Sequence, residues 1–212
     1  MKVRTMKESE STREKIKEAA TAVFVERGYD GARMQEIADR AGANKAMIYY
    51  YFNSKDELFE AIFTENFSTL FEMFGKLFDV PDFNPEEFLP RLVHLHLTFL
   101  RNHPHLPRMM AREIHSNNPI VDRVVRQLFK ESARPFLDEV QKHIARAGKS
   151  GLIRKVDPVQ LIWNLIALNL FTFFTEPIMS VVWPDQFADT DKLLAERERA
   201  IVDLLLYGLL PR

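Results

Sequence analysis

Residues 33–55 read RMQEIADRAGANKAMIYYYFNSK. Met34, Ile37, Ala38 and Ala41 recur at helical spacing until Gly42 interrupts them, and a second short helix is predicted from about Asn44 to Tyr50. Two helices that cross steeply need three things: a small residue at the crossing, a residue tolerant of left-handed backbone at the turn, and an apolar residue on the second helix pointing back. Ala38, Gly42 and Ile48, which lie four, eight and fourteen residues after Met34, supply these in that order. The spacing predicts a helix-turn-helix whose second helix exposes Lys45, Ala46, Tyr49 and Tyr50. Small and donor-bearing side chains at a helix N-terminus can enter a major groove and meet base edges.

Working outward, the rest of the chain also reads as helix. Ile16, Ala20, Val23 and Phe24 mark a first helix, with a capping-box pattern at Ser11-Thr12-Arg13-Glu14 and a stop at Gly28. Ser54-Lys55-Asp56-Glu57 is a second capping box, opening a long helix from Leu58 to Phe78. Asn84-Pro85, Asn118-Pro119 and Asp157-Pro158 each set a capping side chain before a proline at the first helical position. One helix is expected from Pro119 to Gly148, another over Asp157–Trp183, and a last one over Leu193–Leu210. The fold class is therefore all-α, with about nine helices. It divides into a helix-turn-helix head at residues 1–55 and a helical body at 56–212.

Charge separates the two parts. Residues 1–55 hold 11 Lys and Arg against 8 Asp and Glu, whereas residues 56–212 hold 18 against 22. A basic head on an acidic body points to a polyanionic partner for the head alone. The absence of cysteine excludes a disulfide framework, a thiol nucleophile and thiolate metal sites, and fits a cytoplasmic location. The longest uncharged run, Pro158–Thr175, carries Gln160, Asn164, Asn169, Thr172 and Thr175, which suits a buried helix better than a membrane span. No GxSxG, HExxH or phosphate-cradling glycine loop is present, so no enzyme is expected. Five of the six histidines fall between His94 and His115. His94 and His96 face apart on a helix, and no second i, i+4 pair completes a metal site. No cofactor is expected.

Residues 11–55 resemble the DNA-binding region of the tetracycline-repressor (TetR) family of bacterial regulators. The resemblance is carried by AVFVERGYDG (22–31), MQEIADRAG (34–42), IYYYF (48–52) and the following Ser54-Lys55-Asp56-Glu57-Leu58. It implies that Lys45, Ala46, Tyr49 and Tyr50 meet bases or the adjacent sugar-phosphate, that Asn44 and Tyr51 reach phosphates, and that Lys55 holds one. Two departures stand out. Arg33 occupies a position where the family usually has Thr or Ser, which removes a hydroxyl cap and offers another phosphate contact. Asn44 and Ala46 replace the frequent Ser or Thr and Gly, so operator preference cannot be transferred. Phe52 and one tyrosine are expected at the seam between head and body, because four consecutive helical residues cannot share a face.

Binding of one head is weak, and specificity comes from two half-sites about one DNA turn apart, so a two-fold homodimer on a palindromic operator is expected. The expected interface is the last two long helices, through Leu161, Leu165, Leu168, Leu194, Ile201, Leu204 and Leu205. Seventeen phenylalanines and eight methionines favour a small hydrophobic or aromatic effector in the body. The candidate contacts are Phe67, Phe99, Met110, Glu113, Ile114, Trp163 and Phe173, with Glu113 able to anchor a cationic or hydroxyl group. The expected function is a repressor released from DNA by such an effector. The alternative is a helical ligand-binding or interaction module, or an enzyme, without operator binding.

Overall fold

A computed structural model describes residues 2–77, 84–113 and 118–210, with backbone alone for residues 2–9 and Ser132. Every regular element among them is helical: α1 (Lys2–Gly31), α2 (Met34–Ala41), α3 (Lys45–Phe52), α4 (Lys55–Leu77), α5 (Pro85–Asn102), α6 (His105–Glu113), α7 (Pro119–Leu128), α8 (Arg134–Ser150), α9 (Pro158–Val182), α10 (Pro184–Phe187) and α11 (Thr190–Leu209). Eleven helices replace the expected nine for two reasons. The stretch after Pro119 is broken by a π-helical turn, Phe129–Ala133, just before Pro135. A proline there has no N–H for the i→i−4 ladder, and the wider turn absorbs the missing bond. The short α10 also forms between the two long C-terminal helices. The capping box at Ser11 is not used as a start, since α1 already runs from Lys2.

The other punctuation holds. Glu57 N–H donates to Ser54 Oγ at 3.1 Å, Glu86 N–H to Asn84 Oδ1 at 3.0 Å, Ile120 N–H to Asn118 Oδ1 at 2.9 Å and Val159 N–H to Asp157 Oδ1 at 2.8 Å. Each satisfies a helix N-terminal donor that would otherwise lack a partner, worth about 1 kcal/mol apiece.

The described residues form two compact units, residues 1–67 with 108–128, and 68–107 with 129–212. A division at 55/56 therefore does not match the packing: the first half of α4 and all of α7 belong with the helix-turn-helix. In the first unit Ile16, Val23, Phe24, Ile37, Ala38, Ile48, Leu58 and Phe59 are essentially inaccessible to water. The Phe59 ring meets Phe24 edge-on at 5.1 Å, Tyr29 at 5.1 Å and Phe63 at 4.6 Å, tying α1 to α4. Burying such a ring contributes about 2–3 kcal/mol.

In the second unit α11 lies along α5, burying Ile201, Val202, Leu205 and Leu209, and α9 packs on α5 and α8. His94 Nδ1 lies 2.9 Å from Glu198 and Arg101 pairs with Asp191, both joining α5 to α11. Arg197 Nε donates to Thr172 Oγ1 at 3.0 Å, joining α11 to α9. Helix α9 departs from expectation. Only Leu165 and Asn169 on it are buried, and Trp163, Phe171, Ile178, Val181 and Val182 stand in solvent. It is long and apolar enough to cross a membrane by length and composition alone, yet most of its apolar surface is uncovered in the single chain.

Candidate nucleic-acid interface

Helix α2 starts after Arg33, whose extended backbone (φ −113°, ψ 133°) is that of an N-cap, with no side-chain capping bond. Its other end is Gly42 at φ 62°, ψ 30°, the left-handed conformation required of the turn residue. Ala38 and Ile48 have no exposed surface, so the two helices meet where the spacing placed the contact. Helix α3 is capped by Asn44, whose Oδ1 accepts from Met47 N–H at 2.8 Å. Capping uses the Asn44 oxygen and leaves its amide donor as the group that can address an anion.

From that frame α3 presents Lys45, Ala46, Tyr49 and Tyr50 to solvent, with Tyr50 80% exposed. The Lys45 ammonium lies 5.8 Å from the centre of the Tyr49 ring, one helical turn on. Tyr51 is half-buried, its ring edge-on to Tyr50 at 5.2 Å. Phe52 is buried beneath the Arg13 guanidinium, 5.1 Å away. Arg33 and Asn44 are exposed on the same segment. The arrangement offers cations, amide and phenol donors and one small side chain on a rigid convex edge, suited to a duplex groove.

Lys55, expected to hold a phosphate, lies against the end of α1. Its Nζ donates to Tyr29 O at 2.8 Å and Ala32 O at 3.2 Å, and lies 4.4 Å from the centre of the Tyr29 ring. Carbonyls at the end of α1 explain a cation at the start of α4, and one ammonium donor remains.

Tyr29, not singled out in the sequence, is the hub of this junction. Its N–H donates to Glu113 Oε1 at 2.8 Å and its hydroxyl to Asp56. Burial, and then the Asp56 carboxylate, push its phenol above the ordinary range. Around it, Arg112 Nη1 donates to Glu26 O at 2.9 Å and Val25 O at 3.3 Å, and Asn118 Nδ2 to Asp30 Oδ1 at 2.7 Å. Arg40 makes a two-pronged pair with Glu26 at 2.7 and 2.6 Å and a bond to Glu36 at 2.9 Å, holding α2 to α1. The contacts of Glu113, Arg112 and Asn118 link residues over 80 apart in sequence, so no local pattern announces them.

The chain matches two family models. That for bacterial regulatory proteins of the tetR family covers residues 16–62, and that for the tetracyclin repressor-like C-terminal domain covers residues 85–205. The chain belongs to the TetR family. It is a DNA-binding transcriptional regulator with an effector-binding domain. It is 34% identical over 107 residues to the transcriptional repressor NicS of Pseudomonas putida, a match covering 50% of each chain. It is 28% identical over 153 residues to the regulator RutR of Escherichia coli, covering 72% of this chain and 69% of RutR. The fold resembles the crystal structure of the regulator FadR of Bacillus subtilis in complex with stearoyl-CoA, with a TM-score of 0.67, 21% identity and coverage of 92% of this chain and 97% of that one.

The residues expected to hold an effector are divided between the two units. Phe67, Met110 and Glu113 lie in the first unit, and Phe99, Trp163 and Phe173 in the second. Ile114 lies outside the described residues. Glu113 is buried and its Oε1 accepts from Tyr29 N–H. Phe99 is buried and stacked on His103 at 4.2 Å. Trp163 is 69% exposed on the outer face of α9, so it lines no enclosed pocket in this chain. The residues expected at a dimer interface differ in exposure within the single chain. Leu165, Ile201 and Leu205 are buried in the protomer's own core, Leu161, Leu168 and Leu194 are half-buried, and Leu204 alone of the seven is exposed. Helix α9 is apolar nearly all round, so periodicity alone does not choose which of its faces meets a partner.

Proposed function

We propose that this protein is a dimeric repressor that binds a palindromic operator through two α3 helices and leaves it when a small hydrophobic or aromatic effector enters the second unit. The observation that carries the DNA half is the solvent-facing edge Lys45, Ala46, Tyr49 and Tyr50, held by the left-handed turn at Gly42. Arg33, the Asn44 amide, Tyr51 and the remaining Lys55 donor are assigned to phosphates around it. In this reading the first unit carries DNA binding and the second carries effector binding and dimerisation. The test is fluorescence anisotropy against duplex from upstream of the protein's own coding sequence. Binding should be sequence-dependent and fall steeply with salt.

The dimer is supported by the uncovered face of α9. Val159, Trp163, Phe171, Ile178 and Val181, with Leu204 and Tyr207 of α11, form an apolar surface larger than scattered exposed residues require. A second copy of this chain covers it, pairing α9 and α11 as a four-helix bundle across the axis. A hydrophobic effector is supported by an open groove of about 490 Å³ in the second unit, lined by Phe71, Gly75, Pro135 and Phe136 with Glu72 and Glu139 at its rim. The long acyl chain named in the FadR complex is of the same apolar character. Effector binding is transmitted along α4, which begins in the first unit and ends in the second. Coupling of this kind is typically about 1–3 kcal/mol, and DNA and effector must weaken one another reciprocally.

A further inference from the structure

The second unit contains a buried polar pair that nothing above uses. Asn169 on α9 has no exposed surface and His96 on α5 is 4% exposed. Asn169 Nδ2 lies 3.1 Å from His96 Nδ1, and Asn169 Oδ1 has no hydrogen-bond partner among the described residues. We propose that Asn169, positioned by His96, is the polar anchor of a ligand site in this unit, taking a neutral, largely apolar molecule that ends in a hydroxyl group. This rests on the second unit being the effector-binding one.

An amide carbonyl left bare in a core costs about 1–3 kcal/mol, so a retained one implies a partner that arrives from elsewhere. The imidazole occupies one end of the amide whichever way the amide is turned, and the other end is left over. A hydroxyl both donates and accepts, so it completes either arrangement. A charged group does not fit. Burial lowers the His96 pKa to about 4, so the imidazole is neutral and supplies no counter-charge to a carboxylate, and the nearby Arg197 is already engaged by Thr172 Oγ1 and Leu168 O.

The apolar part of the molecule has a path. Phe74 stands edge-on to His96 at 5.5 Å and stacks on Phe136 at 5.3 Å. Phe136 and Phe71, whose rings are 5.9 Å apart, line the 490 Å³ groove, so one ring separates that groove from the buried pair. The proposed site requires Phe74 to leave its present rotamer, which would open the pair to the groove. Gly75, beside it, has nothing within 4 Å of where a Cβ would stand. The groove alone exceeds the ~300 Å³ lower end of small-molecule sites.

The test is calorimetric titration of the full chain with 1-naphthol and with 1-methylnaphthalene, which match in size and differ in the hydroxyl. Wild type should prefer 1-naphthol by about tenfold. Asn169→Leu should erase that preference. A readout needing no variant is the Asn169 side-chain amide resonance, which should move with 1-naphthol and not with 1-methylnaphthalene. Equal affinity of wild type for both probes, or a preference that survives Asn169→Leu, overturns the anchor and leaves an apolar effector site in place. Failure of both probes to bind overturns the anchor as well. So does a crystal grown with 1-naphthol in which only a water reaches Asn169 Oδ1. No DNA enters these titrations, so their failure is distinct from a failure of operator binding.

Discussion

Replacing Gly28 by alanine should damage the junction between α1 and the helices around it. Gly28 sits at φ 71°, ψ 173°, a conformation populated almost only by glycine, and holding a side chain there costs about 1–3 kcal/mol. A Cβ would also stand 2.7 Å from Arg112 Nε and 3.3 Å from Glu113 Oε1. The guanidinium must then move off Val25 O and Glu26 O, a loss of about 1 kcal/mol once solvent exposure is allowed for. The sum, about 2–4 kcal/mol, corresponds to a fall in Tm of roughly 5–15 °C for a chain of this size. Thermal unfolding followed by far-UV circular dichroism reads it directly. Gly31→Ala is the control: its φ is ordinary and its Cβ would meet only Arg27 Cβ at 3.4 Å, so it should be neutral or slightly stabilising. In an Arg112→Ala background the cost of Gly28→Ala should shrink by about 1 kcal/mol, which isolates the crowding from the backbone strain. A Gly28→Ala protein melting within 2 °C or so of wild type would refute the reasoning.

Other consequences follow from the same geometry. Tyr50→Ala should weaken specific operator binding by roughly ten- to a hundredfold. Lys45→Ala should lower the slope of log affinity against log salt by about one, both being read by anisotropy. Trp163→Glu with Val181→Glu should convert the dimer to monomer in sedimentation velocity and cost about 10²–10⁴ in operator affinity through lost bivalency. His96 sets an acid limit on stability. Its folded pKa of about 4 lies below the unfolded value near 6.5, so the unfolded chain takes up the proton first. Stability is therefore full above pH 6.5 and is lost as pH falls from there towards 4, by up to about 3 kcal/mol. His96→Phe should flatten the Tm profile between pH 6.5 and 4.5, and an unchanged slope would contradict the assignment.

The head was readable because its constraints are local. Gly42, Ala38 and Ile48 each act within a few residues of one another, so sequence spacing is a direct record of geometry. Proline-led helix starts at residues 85, 119 and 158 were legible for the same reason. What remained hidden depends on long-range packing. Nothing near Glu113 in sequence indicates that it accepts from Tyr29 N–H, and nothing near Lys55 indicates that the end of α1 engages it. On α9, apolar residues on every side leave the burial of Leu165 and Asn169, and the exposure of Trp163, to be decided by where α5 lies. The π turn before Pro135 was marked only by the proline itself.

The central claim is that the α3 edge reads a specific duplex. Sequencing the genomic fragments retained by the purified protein at physiological salt tests it most directly, with a Lys45→Ala, Tyr50→Ala protein run in parallel. The account predicts enrichment of a palindrome whose half-sites are about one helical turn apart, lost in the double variant. Uniform recovery of fragments by wild type, or an enriched site that the double variant retains in full, would contradict it.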